Sequence, residues 1–156
     1  MAGRWQFKWT PEGIAFAQAL DEIASKKIKV GFLEGETEQD GTSIADIAAW
    51  NELGTEDGRI PSRPFMRQSV ENHRPEINRH MLAEGNKLAA GASAKEVLSG
   101  IGDFFVRNLQ KEIRNGDFVP NAPSTVAAKG SDRPLIDTGR MRQSVHFQID
   151  EKDGDH

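Results

Sequence analysis

Three short segments hold residue types that could do chemistry. Leu135-Ile136-Asp137-Thr138-Gly139 sets an Asp-Thr-Gly triplet behind two apolar residues, a setting in which two carboxylates brought together share one proton and cleave a peptide.

The triplet resembles the active-site loop of retroviral-type aspartic proteases, which lies in a nearly all-β chain with a flap and further strands after it. Here the preceding pattern is helical and little chain follows. The plainer reading is that Asp137 or Thr138 caps a short helix and Gly139 relieves the turn. Gly100-Ile101-Gly102 opens like a phosphate-cradling loop, but Phe105 stands at the third glycine position and no strand precedes it. Those glycines suit close helix packing, or a local break with Asp103 recapping the helix. His73 and His80 share roughly one helix face, with Glu76 near it. They are too sparse a set for a metal and read as surface histidines. His146 falls on the polar side of a strand pattern. No nucleophile–base pair stands out, so the expectation is a chain that is not an enzyme and uses no cofactor or metal.

Charge is the more informative feature. Glu34, Glu36, Glu38 and Asp40 form an acidic stretch, Arg59, Arg63, Arg67, Arg74 and Arg79 a basic sector, and Asp150 to Asp155 an acidic tail. Arginine on a rigid element pairs well with carboxylates or phosphates. A straight helix opening at Pro64 would carry Arg67 and Arg74 on one side. Solvation, or an intrahelical pair such as Arg67 with Glu71, is the simpler use. The alternative is that copies of one subunit join head-to-tail, acidic edge against basic sector, as a closed ring requires. A net charge of −4 argues against general DNA binding, although a DNA-binding regulator would use the same arginines.

The elements that must position these residues are well signalled. Thr10 can cap a first helix with Pro11 at its first position, and Ile14, Ala17, Leu20, Ile23 and Ala24 form its apolar face. Lys27 to Phe32 alternates as a half-buried strand. A second helix runs from Ile44 to about Leu53, capped by Thr42 or Ser43 and stopped by Gly54 in a left-handed conformation. Pro64 opens a run to about Ala90, with Phe65, Met66, Val70, Ile77, Met81 and Leu88 as candidate buried positions and a break near Glu71–Arg74 imposed by Pro75. Ser93 or Ala94 starts a helix to about Asn115, with Leu98, Ile101, Phe105, Leu109 and Glu112/Ile113 as its stripe and Gly116 as its stop. Pro123 to Lys129 can make one or two turns and Arg140 to Ser144 one. Val145, Phe147 and Ile149 alternate as a closing strand. The expected class is α+β: a small antiparallel sheet packed against two or more long helices, with extended Pro/Gly-rich loops.

The 156 residues suit one domain, taken as 1–149 with residues 150–156 as the acidic tail. Cysteine is absent, which excludes disulfides, thiolate catalysis and zinc fingers and makes a reducing cytoplasm the default. No apolar run approaches the ~20 residues of a membrane span.

Two segments then resemble a known family. Asn51-Glu52-Leu53-Gly54-Thr55 followed by Ile60-Pro61-Ser62-Arg63-Pro64-Phe65-Met66-Arg67 resembles the "E-[aromatic]-G-T … P-x-R-P-F-x-R" block of small tailed-phage neck and tail proteins. Leu53 stands where that family usually carries Tyr or Phe. Ala122-Pro123-Ser124-Thr125-Val126, Lys129-Gly130-Ser131-Asp132 and Pro134 to Val145 resemble its C-terminal block. The likeness spans roughly Ile44 to Ile149 and is to the tail-completion or virion-morphogenesis proteins of Mu-like and long-tailed siphophages, similar to the lambda Z-like minor tail proteins.

The resemblance implies a non-enzymatic component of the virion, made in the host cytoplasm, that finishes the head-proximal end of the tail or the neck. It implies a ring of roughly six copies that meets a tail terminator or tail tube protein on one side and a head–tail connector on the other. Gly54, Pro61, Arg63, Pro64, Phe65, Asp137, Thr138 and Gly139 match motif positions that look structural. Candidate contacts with neighbouring subunits or partners are Glu34, Glu36, Glu38, Arg59, Arg63, Phe65, Arg67 and Arg74. Specific DNA binding and membrane contact are not expected. Tail terminator and head-closure protein are the nearest alternatives.

Overall fold

The computed structural model describes residue 3, residues 6–123 and residues 139–154. The chain begins with α1 (Pro11–Ala24), where the Thr10 hydroxyl accepts the Gly13 amide at 3.0 Å and Pro11 sits where its missing N–H is harmless. β1 (Lys26–Phe32) follows, then α2 (Ile44–Leu53), for which Ser43 is the capping residue. The run from Pro64 is divided into α3 (Phe65–Glu71) and α4 (Arg74–Ala89), with Pro75 in the first turn of the second piece. Ser93 caps α5 (Ala94–Asn115), and the short α6 (Arg140–Gln143) leads into β2 (Val145–Glu151). The α+β expectation therefore holds. The expected helix from Pro123 to Lys129 lies, apart from Pro123 itself, outside the described residues.

β1 and β2 pair antiparallel, with Ile28 opposite Ile149, Val30 opposite Phe147 and Phe32 opposite Val145. A two-stranded ribbon is marginal by itself in water, and α5 provides the surface it needs. Gly102 makes the approach close: a Cβ there would stand 2.3 Å from the Phe147 ring. A Cβ at Gly100 would stand 2.8 Å from the Glu84 carboxylate. Both glycines lie within an unbroken α5, so they serve close packing and not a break. One apolar cluster joins Ile44, Ala48, Phe65, Leu109, Ile113, Met141 and Val145. A second joins Leu88, Val97 and Ile101, with Ala19, Ile23, Ile28 and Phe105 against it.

Gly116 ends α5 as expected, in extended backbone (φ −63°, ψ 154°); its missing side chain admits Phe118, whose ring would lie 2.4 Å from a Cβ. Several other expectations about these elements need correction. α1 buries no residue completely, and the expected apolar positions Ile14 and Leu20 remain 46% and 45% exposed. On the α3–α4 run Val70 and Met81 are exposed. The inward positions of α4 include Ile77, His80, Glu84 and Leu88, a helical stripe in which polar residues hold places that an apolar count assigns to their neighbours. The acidic tail does not begin after Ile149: Asp150 and Glu151 are strand residues opposite Lys27 and Lys26. Lys26 pairs with Glu151, Lys27 Nζ lies 2.6 Å from Asp153 and Lys29 Nζ 3.0 Å from Asp150. Much of that acidity is matched by lysines of the same sheet.

Candidate functional site

The segment from Asn51 to Arg67 closes on itself around a few polar side chains. Pro64, at the start of α3, has no side chain able to cap it. Glu52 does so from α2: its carboxylate accepts the Met66 amide at 2.8 Å and the Arg67 amide at 3.3 Å. A carboxylate at a helix N-terminus satisfies free N–H groups and faces the positive end of the helix dipole. Gly54 leaves α2 at φ 77°, ψ 170°, positive as expected but extended in ψ, a region open essentially to glycine. A Cβ there would press to 3.0 Å from the Ser62 amide nitrogen and 3.2 Å from the Ile60 carbonyl.

The turn that follows is held by Thr55. Its amide donates to the Ile60 carbonyl at 2.9 Å, its hydroxyl donates to Asp57 at 2.7 Å and accepts the Ile60 amide at 3.0 Å. The Thr55 hydroxyl and the Arg59 amide together hold the Asp57 carboxyl below the usual carboxylate range. Ser62 then ties back to α2 by donating to the Glu52 carbonyl at 2.9 Å.

Arg63 is the centre of this block. Only 7% exposed, it donates from Nε to the Val119 carbonyl at 2.8 Å and from Nη1 to Asn51 Oδ1 at 3.1 Å. Nη2 reaches the Pro120 carbonyl at 3.4 Å and Asn121 Oδ1 at 3.1 Å. Every one of these acceptors is neutral. Burial without a carboxylate partner lowers the guanidinium pKa, yet arginine stays charged in proteins, so the hydrogen bonds must compensate the lost hydration. The result is a clasp that fastens the chain after α5 onto α2. Two residues on, Phe65 is fully buried and meets Phe32 edge-on at 6.0 Å, attaching α3 to the sheet.

Beside the clasp runs an open groove of about 800 Å³ lined by Trp50, Ile60, Pro61, Arg63, Gly139 and Met141, among others. Its lining includes Asp40, whose carboxylate accepts the Thr42 amide at 2.9 Å and hydrogen-bonds the Thr42 side chain. Two imidazole–carboxylate pairs lie elsewhere, in the seam between α4 and α5. His73 Nε2 is 2.9 Å from Glu112, and His80 Nε2 donates to the Gly100 carbonyl at 3.2 Å while lying 3.5 Å from Glu84. Lys87 donates to Glu84 at 2.8 Å, and the His80 ring stacks on Phe104 with centroids 4.1 Å apart. Both carboxylates are buried. The two histidines are therefore half-buried parts of a helix seam, not surface residues. The spacing 73–77–80–84–88 is the available signal, being one helical stripe. No group of His, Asp and Glu among the described residues could hold a metal, and no helix of the described residues is long and apolar enough to cross a membrane.

The remaining candidate residues are scattered. Arg67 and Arg74 are exposed, and Arg59 is exposed and paired with Asp57 at 3.1 Å. Glu34 is exposed, whereas Glu36 and Glu38 are half-buried, Glu36 lying 3.4 Å from His146. Arg63 and Phe65 belong to the interior of the subunit and are not available on its surface. Pro61 and Pro64 are half-buried within the clasp loop. Gly139 starts α6 in the left-handed conformation (φ 79°, ψ −1°), so the turn it was expected to relieve exists. Asp137 and Thr138 lie outside the described residues. No family model, characterised protein or solved structure matches the chain.

Proposed function

We propose that this chain is a structural protein of a tailed-phage virion that completes the head-proximal end of the tail and helps form the neck, acting as a ring of roughly six copies. The observation that carries the reading is the fate of the motif residues. Glu52, Gly54, Thr55, Arg63 and Phe65, the residues on which the family resemblance rests, are joined in one internal clasp that shapes a loop and starts a helix. That is the use a scaffold makes of a motif, and it supports a non-enzymatic role. Arg67, Arg74 and Glu34 are exposed and supply charge of both signs, which a head-to-tail contact can use. The partners of this reading are a tail terminator or tail tube protein and a head–tail connector, in the virion, after assembly in the host cytoplasm.

The test is electron microscopy of a lysate from the phage that encodes this chain, with a stop codon placed early in its gene. Full heads beside separate tails of normal length are expected. Tails of abnormal length would assign the protein to termination, and full heads that leak their DNA would assign it to head closure. Normal infectious particles would remove the virion reading.

A further inference from the structure

The apolar residues that α1 leaves uncovered continue into the segment before it. Phe7 is 92% and Trp9 70% exposed, and neither belongs to an apolar cluster of the subunit. The Trp9 ring only leans on Gly13, within 3.3 Å of where a Cβ would be. Thr10 precedes the helix in extended backbone (φ −73°, ψ 158°), and residues 6–9 before it form no helix or strand. Five extended residues from Gln6 to Thr10 span about 16 Å, enough to reach a neighbouring molecule.

Charge separates the two surfaces. Residues 1–10 include Arg4 and Lys8 and no carboxylate. α1 carries Glu12, Asp21 and Glu22 and no cation, and these three are exposed and make no ion pair among the described residues. Between them lie the partly uncovered Ile14, Phe16 and Leu20. An aromatic, basic arm and an apolar, acidic helix face are complementary in both hydrophobicity and sign, and among the described residues each is left exposed. Two aromatic side chains of ~150–250 Å² each are worth burying.

We propose that the arm around Phe7, Lys8 and Trp9 of one copy docks on the α1 face of a second copy. Phe7 and Trp9 cover Phe16 and Leu20, and Lys8 meets the acidic residues of the helix. Repeated in one direction around an axis, an arm-to-face contact propagates from subunit to subunit, as a ring requires. This rests on the self-assembly reading above and names the surfaces that would carry it.

The chain has no cysteine, so single cysteines give a clean cross-linking test. Phe7→Cys copies mixed with Leu20→Cys copies under oxidation should form disulfide-linked dimers about tenfold above a mixture of Phe7→Cys with Arg67→Cys, whose site lies on α3. The double variant Phe7→Asp/Trp9→Asp should need about tenfold more protein to assemble while its melting, followed by circular dichroism, matches that of monomeric wild type. Cross-linking within single chains of a Phe7→Cys/Leu20→Cys protein, with none between chains, would overturn the proposal by placing the arm on its own helix. Normal assembly of the Asp variant, without dimer trapping, would overturn it and leave the ring standing. A wild-type chain that stays monomeric at every concentration would remove both.

Discussion

The block from Asn51 to Arg67 turns its polar and aromatic side chains inward, while α1 and the arm before it turn apolar side chains outward. Arg63 and Phe65 are both buried, one ringed by neutral oxygens and the other fully packed. Ile14, Phe16 and Leu20 stand more than a third exposed on a helix with no fully buried residue, and Trp9 in the arm before it is exposed too. Buried polar groups that are fully hydrogen-bonded specify a unique local structure, whereas uncovered apolar surface that continues along one element marks an interaction site. The contrast assigns different work to the two regions: the motif block builds the subunit, and in the proposed assembly surfaces outside it join subunits together.

Substitutions inside the motif block should therefore act on stability first. Arg63→Met leaves the Val119 carbonyl and the Asn51 side-chain oxygen without the donors that now serve them, and should cost about 2–4 kcal/mol in denaturant unfolding. Gly54→Ala places a Cβ against Ser62 in a backbone region that suits only glycine, for a loss of about 1–3 kcal/mol measured the same way. Glu52→Ala removes the cap of α3 while leaving α2 intact, and about 1–2 kcal/mol should follow.

The smallest effect belongs to the sheet edge. Lys29, followed by Gln148, hydrogen-bonds Asp150 and holds its carboxyl below the ordinary range. Its contribution is complete above the unperturbed pKa of 3.8 and disappears as pH falls from there through the depressed folded value. In a pH series of thermal melts, Asp150→Asn should therefore lower the midpoint slightly at neutral pH, and the difference from wild type should vanish as pH falls through the folded pKa.

Much of the fold was legible because its boundaries are local chemistry. Thr10, Ser43 and Ser93 are side chains that cap the helix beginning at the next residue, and Pro75 breaks a run wherever it falls. The alternation of Ile28, Val30 and Phe32 with Lys27 and Lys29 likewise marks β1 with no knowledge of its partner. The site was less legible because burial is a tertiary property. Arg63 looks like its exposed neighbours Arg59 and Arg67, and only the return of Val119–Asn121 from the far end of α5 turns it inward. Glu84 carries no mark in the sequence until His80 and Lys87 are placed beside it, and Glu112, already on the α5 stripe, gains its partner His73 only in the fold. The pairing of Asp150 and Glu151 with β1 lysines depended on the register of two strands far apart in sequence.

The most direct test of the division between building and joining is sedimentation velocity on Arg63→Met, run at a temperature where circular dichroism shows it folded. The folded variant should assemble at the same concentrations as wild type, although its unfolding midpoint has dropped. An unchanged midpoint with assembly lost would contradict this division, because it would place Arg63 in the contact between subunits and not in the clasp that holds one subunit together.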